Sequence, residues 1–304
     1  MTACQPSSDK LITVRLQADG KHQLVLPDQM NAGLAVRVRA SQGFIQRACR
    51  RFLQMGKHTL DFHIQLHDEA PKEACFLVDA AAGQNSRNLP LIPDFYCLDS
   101  GGYAAIRKNF QELPRWQNRL PIAIWRGSST GAANLTAKNI HTLKRYRLCK
   151  YSLKYPGWLD ARFNAIVQTV SSEAEREIRD HVQALDLLRP RMKPGLMALH
   201  RWVVDIDGNV NSWGLLWKLL SGSCVLRVNS SRQQWFHNRL KPWGTHVPIE
   251  ADLSDLTEKL LWSKSHPYEC AAIARRGQKM AEDVVADLDR DQDHAVGIYT
   301  KLYL

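Results

Sequence analysis

The sequence predicts an α/β protein of two lobes, and three observations lead to this fold class. Residues 201–248 show, in order, the patterns of a strand, a glycine turn, a helix, a glycine stop, a second strand, a polar helix and a third strand. This order is typical of a nucleotide-binding half-domain. Strand and helix patterns also alternate in the first part of the chain. With 304 residues, 44% of them hydrophobic, the chain is long enough for one large domain or two smaller ones.

The N-terminal part begins with a predicted hairpin and helix. Residues 10–26 indicate two strands joined by the turn dipeptide Asp19-Gly20. Apolar residues then recur at helical spacing over 42–55, and Gly56 ends that pattern. The first lobe is therefore expected to open with a β-hairpin followed by a helix.

Three segments further along predict strands. Strict alternation of apolar and polar residues over 60–66 predicts a half-buried strand. The continuous apolar run 74–78 ends at Asp79 and predicts a strand that is covered on both faces, as in a parallel sheet. Residues 92–98 predict a further short strand or sheet edge.

The domain boundary is predicted near residue 118, where a polar stretch precedes a new apolar strand that starts at Pro121. The first lobe then holds residues 1–118 together with about 288–304, and the second lobe holds residues 119–287. A charged break over 289–293 is expected to separate the last short apolar segment from the helix before it.

The block 201–248 lies in the second lobe. Its first strand ends at the turn dipeptide Asp207-Gly208. Apolar residues at helical spacing follow from Trp213, and Gly222 supplies the left-handed residue at which such a helix stops. Residues 224–228 predict the next strand.

Composition limits the class of protein. The seven cysteines are scattered and form no C-x-x-C pair, which favours reduced thiols in a cytosolic protein and argues against a zinc site built from them. We expect neither a signal peptide nor a membrane span, because no apolar run of the needed length occurs. The net charge of +11 fits solvated helix faces, an anionic membrane surface, nucleic acid or an anionic substrate, and composition does not choose among them.

The block 201–248 also carries a resemblance to a known family. Asp207-Gly208-Asn209, Ser212, the run Lys218 to Leu226, Trp235 and the segment Leu240 to Pro248 resemble glycosyltransferase family 90. The resemblance covers roughly the C-terminal two-thirds of the chain. It implies a GT-B-like arrangement, in which two Rossmann-like lobes face a cleft and the C-terminal helix crosses back to the N-terminal lobe. It also implies an inverting transferase that uses a UDP-sugar.

The catalytic base that the resemblance implies is Asp79. Ligands in open α/β sheets bind beyond the carboxyl ends of the strands, and Asp79 ends an apolar run. Family members have an arginine before this aspartate and an aromatic residue after it, whereas this chain has Val78 and Ala80. The alternative is that Asp79 caps a loop, and Asp94 and Asp99 are the other candidate bases.

Two segments are candidates for holding the donor diphosphate. The loop after the strand at 121–125 is rich in glycine and hydroxyl groups, which suits phosphate, although the Walker ending is absent. The resemblance implies that Arg145 contacts the diphosphate. The alternative is that Arg145 is one more charge on a basic helix. The residues that we assign to the donor site are Arg126, Gly127, Ser128, Thr130, Arg145, Asn209, Ser212, Trp213 and Gly214.

The region after Ser212 departs from the family pattern. Animal relatives have an arginine that helps hold the diphosphate where this chain has Gly214. Either the N–H groups at the start of the next helix hold the diphosphate without this arginine, or another cation takes its place. Lys218, one turn further on, is the nearest such cation in the sequence.

Asp205-Ile206-Asp207 resembles the metal-binding Asp-x-Asp of the other large transferase class. Because a tight turn follows, we favour a turn role, no metal ligands and no cofactor, with metal binding as the minority alternative.

The leading hypothesis is an inverting glycosyltransferase that moves a sugar from a UDP-sugar to a lipopolysaccharide or another cell-surface glycan. The acceptor would be lipid-linked, and the protein would be cytoplasmic with peripheral contact to the anionic inner leaflet. A basic nucleic-acid-binding protein is the second hypothesis, although the sequence shows no nucleic-acid-binding motif and we expect no such partner. The third is an inactive member of the transferase fold that binds glycans.

Overall fold

The computed structural model describes residues 11–27, 30–66, 74–81 and 88–304. The chain divides into two compact units, of which the first holds Met1–Tyr103, Ser231–Asn238 and Val285–Leu304. The second unit holds Ala104–Ser230 and Arg239–Val284. The sequence divides the chain differently, as 1–118 with 288–304 and as 119–287, and that division stays a prediction.

The strands are β1 (Ile12–Leu16), β2 (His22–Val25), β3 (Leu60–Gln65), β4 (Phe76–Leu77), β5 (Ala80–Ala81), β6 (Leu120–Ser128), β7 (Leu159–Ala165), β8 (His200–Asp205), β9 (Cys224–Val228), β10 (Arg232–Gln233) and β11 (Val247–Ile249). The helices are α1 (Ala32–Ala40), α2 (Gln42–Gln54), α3 (Phe95–Asp99), α4 (Ala104–Phe110), α5 (Lys144–Lys154), α6 (Ser172–Ala184), α7 (Pro194–Met197), α8 (Leu215–Leu220), α9 (Leu256–Ser265), α10 (Pro267–Ala286) and α11 (Leu288–Tyr303). Within the described ranges, no helix has the length and apolar character needed to cross a membrane.

The first unit contains a four-stranded sheet in the order β2–β1–β3–β4. β1 pairs antiparallel with β2 and with β3, and only β3 and β4 run parallel. The predicted hairpin, helix 42–55 and alternating strand are confirmed. The Rossmann-like character predicted for this lobe is wrong for the described sheet, because the short turn at Asp19-Gly20 can join only antiparallel strands.

Aromatic rings form the core of the first unit. Phe52 of α2, Phe62 of β3 and Phe76 of β4 contact one another. Tyr299 of α11 stacks on Phe76 with ring centroids 4.4 Å apart and packs against the other two rings. The last helix is therefore part of this core.

An ion-pair cluster also joins α11 to α2. The carboxylate of Asp293 accepts hydrogen bonds from Arg47 at 2.7 Å and from Arg51 at 2.5 Å. The predicted break over 289–293 is wrong, because these residues lie inside α11. Asp289 and Asp291 stand in its first turn, where negative charge favours a helix.

We expect Asp293→Asn to lower the free energy of unfolding at pH 7 by about 1–2 kcal/mol. Arg47 and Arg51 hold the pKa of Asp293 well below its usual range. The carboxylate therefore stabilises the fold above the unfolded-state pKa near 4, and this contribution is lost as the pH falls below that value. Urea unfolding at pH 7 and at pH 3.5 measures it. The exposed Asp283→Asn is the control, and an equal loss for both variants would contradict the assignment.

Two other sequence predictions are wrong. Residues 92–98 form no strand, because Asp94 caps α3 through hydrogen bonds to its carboxylate from the N–H groups of Tyr96 and Cys97. The polar helix predicted after β9 is absent as well. That segment, which is fully described, contains the short strand β10 and a single 3₁₀ turn at His237–Arg239.

The second unit contains a five-stranded parallel sheet in the order β11–β9–β8–β6–β7. The strands predicted from Pro121 and over 224–228 are confirmed. Successive residues of β6 point to opposite faces, so that Trp125 packs in one core cluster and Ile124 in another. Helices cover both faces, as in doubly wound α/β proteins.

Candidate functional site

The strand order places the switch point of the sheet at the carboxyl ends of β6 and β8. These two strands are neighbours in the sheet although β7 lies between them in the chain. Read from β7, the order is second, first, third, fourth, fifth, which reverses direction between β6 and β8. Parallel sheets of this kind bind ligands at that switch point. The loops that follow β6 and β8 are therefore the first place to look for a site.

Arg145 of α5 connects these two loops. Its guanidinium donates to the carbonyl oxygens of Ser128 at 3.0 Å, Ile206 at 3.1 Å and Asp207 at 2.8 Å. It also donates to the hydroxyl of Thr130 at 2.6 Å. We call these contacts the Arg145 bridge. They hold the carboxyl ends of β6 and β8 at fixed positions relative to each other.

The guanidinium of Arg145 keeps its charge near neutral pH and has bonding capacity left. Burial lowers the pKa of Arg145 to about 10, which still leaves the group protonated. Arginine has five N–H groups, and the bridge occupies four of them. The remaining N–H group lies on Nη2, beside Gly208. The site therefore contains a cation that can still donate one hydrogen bond to an anion.

Gly208 is required at this point by space. A Cβ atom there would lie 2.6 Å from Oγ1 of Thr130 and 3.1 Å from Nη2 of Arg145. The next residue ties the two loops together again, because the side-chain oxygen of Asn209 accepts a hydrogen bond from the N–H of Gly131 at 3.0 Å. Ser128, Thr130, Arg145 and Asn209, all predicted from the sequence, thus lie together.

Ser212 belongs to a neighbouring polar cluster. Its hydroxyl donates to Asp205 at 2.5 Å, and its backbone N–H donates to Asp207 at 3.1 Å. Lys218 forms a buried ion pair with Asp205 at 2.6 Å and lies 3.3 Å from the Ser212 hydroxyl. Ser230 donates to the other oxygen of Asp207. The two carboxylates of the Asp-x-Asp segment are both engaged by groups of the chain.

The space beside Gly214 is already occupied. A Cβ atom on Gly214 would lie 2.8 Å from Nε1 of Trp217 and 3.4 Å from Cε of Lys218. An arginine at this position would displace both side chains. Lys218 is therefore the cation next to Ser212, and it lies in the region where the family resemblance places an arginine. Gly214 is the N-cap residue of α8, and Trp213, one residue earlier, is half-buried.

Arg126 has other partners. Its guanidinium forms an ion pair with Asp160 at 2.6 Å and donates to the carbonyl oxygens of Trp125 and Asp160. By alternation along β6 its side chain lies on the face of Ile124, opposite Trp125. The predicted contact of Arg126 with the donor stays a prediction, and this geometry argues against it. Gly127 leaves room for the ring of Trp125, which would lie 2.4 Å from a Cβ atom.

Asp79 lies in the first unit. It follows β4 and precedes β5, which pairs with β10. Its carboxylate is buried and forms an ion pair with Arg232 of β10. Asp94 is the buried cap of α3, and burial raises its pKa to about 7, whereas Asp99 is the exposed last residue of that helix. Of the three candidate bases, Asp79 alone combines burial with an ion-pair partner that fixes its orientation.

The sequence did not identify Gly208, Ser230 and Arg232 as site residues. Gly208 was visible as part of a turn dipeptide and of the family resemblance, and nothing in the sequence indicated its contact with Arg145. Ser230 and Arg232 lie in a segment predicted to be a polar helix. Since the main partners of Arg145 are backbone carbonyl groups, no pattern of residue types could have identified them.

A doubly wound parallel sheet with a half-buried cation at its switch point is the arrangement at which α/β domains bind ligands. The chain belongs to glycosyl transferase family 90, whose family model matches residues 103–291. The match begins where the second unit begins and includes every residue of the Arg145 bridge.

Several known proteins are similar to this chain. Protein O-glucosyltransferase 3 of Homo sapiens is 28% identical over 172 residues, which cover 57% of this chain and 30% of that protein. The uncharacterized protein 035R of Invertebrate iridescent virus 3 is 29% identical over 172 residues, covering 54% of this chain and 15% of the viral protein. The chain thus spans less than a third of the length of these two relatives.

Among solved structures, Anabaena Alr3699/HepE in complex with UDP-glucose superposes with a TM-score of 0.42 and 14% identity. The superposition covers 63% of this chain and 52% of that one.

Proposed function

We propose that the chain is an inverting glycosyltransferase that moves a sugar from a UDP-sugar to an acceptor hydroxyl. The observation that carries the proposal is the Arg145 bridge, which places a charged guanidinium at the switch point with one N–H group left for a phosphate oxygen. Membership of glycosyl transferase family 90 supports it. Relatives named protein O-glucosyltransferases are consistent with it.

In the proposed reaction the acceptor oxygen attacks the anomeric carbon while the bond from that carbon to the UDP oxygen breaks. Asp79 takes the proton of the acceptor hydroxyl, and UDP leaves with the bonding electron pair. Arg145 offsets the negative charge that develops on the diphosphate. Ser212 and Lys218 are proposed to border the diphosphate on its other side. Because the displacement is a single step, the configuration at the anomeric carbon inverts.

The acceptor and the place of action are also proposals. We propose a lipid-linked lipopolysaccharide or another cell-surface saccharide as the acceptor, reached from the cytoplasm. Six described cysteines are buried and form no disulfide, which suits a reducing compartment. A hydroxyl group on a protein is the second candidate acceptor, because curated relatives are named protein O-glucosyltransferases.

We propose that transfer needs no metal ion. Both carboxylates of the Asp-x-Asp segment already have partners, which supports this proposal. Lys218 and Ser212 bind Asp205, and Ser212 and Ser230 bind Asp207. A metal bound there would have to displace an ammonium group from a buried carboxylate.

The test is turnover of UDP-glucose, UDP-galactose and UDP-xylose by the purified chain with EDTA present, with UDP binding measured by calorimetry. Turnover that persists in EDTA would support the proposal. Turnover that requires added Mn²⁺ would overturn metal independence. UDP binding without turnover on saccharide or protein acceptors would favour an inactive glycan-binding protein. Absence of UDP binding together with salt-sensitive retention of DNA would favour the nucleic-acid hypothesis.

A further inference from the structure

The edge of the parallel sheet at which its strands begin carries most of the exposed large apolar side chains of the second unit. Leu120 is the first residue of β6, Leu196 precedes β8, and Trp243 precedes β11. Leu261 of α9 is 54% exposed and Tyr268 of α10 is 87% exposed. The Arg145 bridge lies at the opposite edge.

One contact shows that the end of α9 reaches this edge. Nζ of Lys264 lies 3.3 Å from the carbonyl oxygen of Gly157, which lies two residues before the start of β7. Leu261 stands one helical turn before Lys264, and Tyr268 stands four residues after it. We call the residues of this edge the strand-entry surface; they are Trp116, Leu120, Lys154, Tyr155, Trp158, Leu196, Arg201, Lys241, Trp243, Leu261, Lys264 and Tyr268.

Cations of the same chain cover the aromatic faces of this surface. Lys154 lies over the ring of Tyr155 at 5.3 Å, and Lys264 lies over the ring of Trp158 at 5.1 Å. Trp158 also stacks on Tyr155. Similar contacts are made by Lys259 over Trp243 and by Arg201 over Trp116. Covered ring faces leave little room for a stacked sugar, so the surface presents ring edges and positive charge.

The charge on this edge has one dominant sign. The segments that enter β6, β7 and β11, together with the junction of α9 and α10, carry the cations Arg115, Arg119, Lys154, Lys241 and Lys264. The acids of the same segments are Glu112 and Glu269. A two-fold contact between copies of the chain would bring these cations face to face, which disfavours self-association through this surface.

We propose that the strand-entry surface binds the interface of an anionic lipid bilayer. Tryptophan and tyrosine prefer the level of lipid headgroups, where ring edges meet polar groups and the ring body meets hydrocarbon. Exposed leucine side chains insert below that level, and lysine side chains attract the headgroup phosphates. The surface combines these three components, and the inference does not depend on the proposed sugar transfer.

The test is co-sedimentation of the chain with vesicles of neutral phosphatidylcholine alone and with vesicles that include about a third phosphatidylglycerol. We expect binding to the anionic vesicles that weakens as salt is added. Each lysine near the surface contributes roughly a fivefold change in affinity. Lys154→Gln, Lys241→Gln and Lys264→Gln together should therefore weaken binding to anionic vesicles roughly a hundredfold.

The matched control changes the same number of lysines elsewhere in the second unit, with Lys138→Gln, Lys144→Gln and Lys279→Gln, and should retain most of the binding. The pair Leu261→Ser and Tyr268→Ser should weaken vesicle binding at least about tenfold and leave retention on a soluble polyanion such as heparin unchanged. Circular dichroism and UDP titration show whether each variant is folded and whether the donor site is intact.

Three outcomes would overturn the proposal. The first is a folded wild-type chain that binds neither kind of vesicle. The second is an equal loss for the two lysine triples. The third is a dimer in analytical ultracentrifugation that the Leu261→Ser and Tyr268→Ser pair dissociates, which would assign the surface to a second copy. None of these outcomes bears on UDP turnover, so this inference and the proposed function fail separately.

Discussion

Asp79→Asn is expected to lower the rate constant of sugar transfer by about a thousandfold and to leave UDP binding unchanged. A general base contributes roughly 10²- to 10⁴-fold to a reaction that removes a proton, and an amide cannot accept that proton. The amide oxygen can still accept a hydrogen bond from Arg232, so the contact between β5 and β10 should survive. Single-turnover kinetics with a saturating acceptor measures the rate constant, and calorimetry measures UDP binding.

Asp94→Asn is the matched control, because it makes the same change at the other buried carboxylate of the first unit. Asparagine is also a good helix cap, so α3 should be preserved and transfer should change by less than about twofold. Burial raises the pKa of Asp94 to about 7, whereas the same carboxyl in the unfolded chain has a pKa near 4. The free energy of unfolding of the wild type therefore decreases progressively as the pH rises from about 4 to 7. The variant should therefore gain stability relative to wild type at pH 8 and not at pH 4. If Asp94→Asn loses transfer while Asp79→Asn retains it, Asp94 and not Asp79 is the catalytic base.

The second large effect is expected at Arg145. Arg145→Met would leave the carbonyl groups of Ser128, Ile206 and Asp207 without their donor, and each buried unpaired group costs about 1–3 kcal/mol. We expect a loss of about 3 kcal/mol or more in the free energy of unfolding and at least a hundredfold weaker UDP binding. Urea unfolding and UDP calorimetry measure the two quantities.

Arg145→Lys tests whether UDP binding depends on the positive charge alone or also on the shape of the guanidinium. Lysine keeps the positive charge but has three N–H groups on one atom, which cannot span both loops as the planar guanidinium does. UDP binding should therefore still be weakened by at least about tenfold. Arg147→Lys, an exposed change on the same helix, should alter stability by less than about 0.5 kcal/mol. If Arg145→Lys binds UDP as tightly as wild type, the bridge does not set the donor site.

Periodicity and turn residues predicted β6, β8, β9 and β11 of the parallel sheet, the N-terminal hairpin and helix 42–55, and did not predict β7. The predictions failed where one side chain decides the local structure. Asp94 caps a helix in a segment whose apolar residues also suit a strand, and Asp289 and Asp291 begin a helix in a stretch that resembles a charged break. A pattern of residue classes does not distinguish a cap from a loop.

The site residues show the same limit. Arg126 and Arg145 were both assigned to the donor from the sequence, and both assignments stay predictions. β6 and β7 pair so that Arg126 meets Asp160, while α5 places Arg145 over the strand ends. Lys218 was weighed as a substitute cation, and only the packing around Gly214 shows why it lies beside Ser212. Strand register and close packing, rather than residue type, determine these outcomes.

The Arg145 bridge has a consequence for protein engineering. Three of its four contacts are to backbone oxygens, which every amino acid supplies, so a change of the Ser128 side chain does not remove an acceptor of the arginine. Ile206 is a buried core residue and the carboxylate of Asp207 is engaged by Ser212 and Ser230, so these two residues stay constant in a library of variants. Gly208 and Thr130 would be held constant in such a library. A search for altered donor preference could therefore begin at Ser128, with variation in shape and polarity beside a fixed cation.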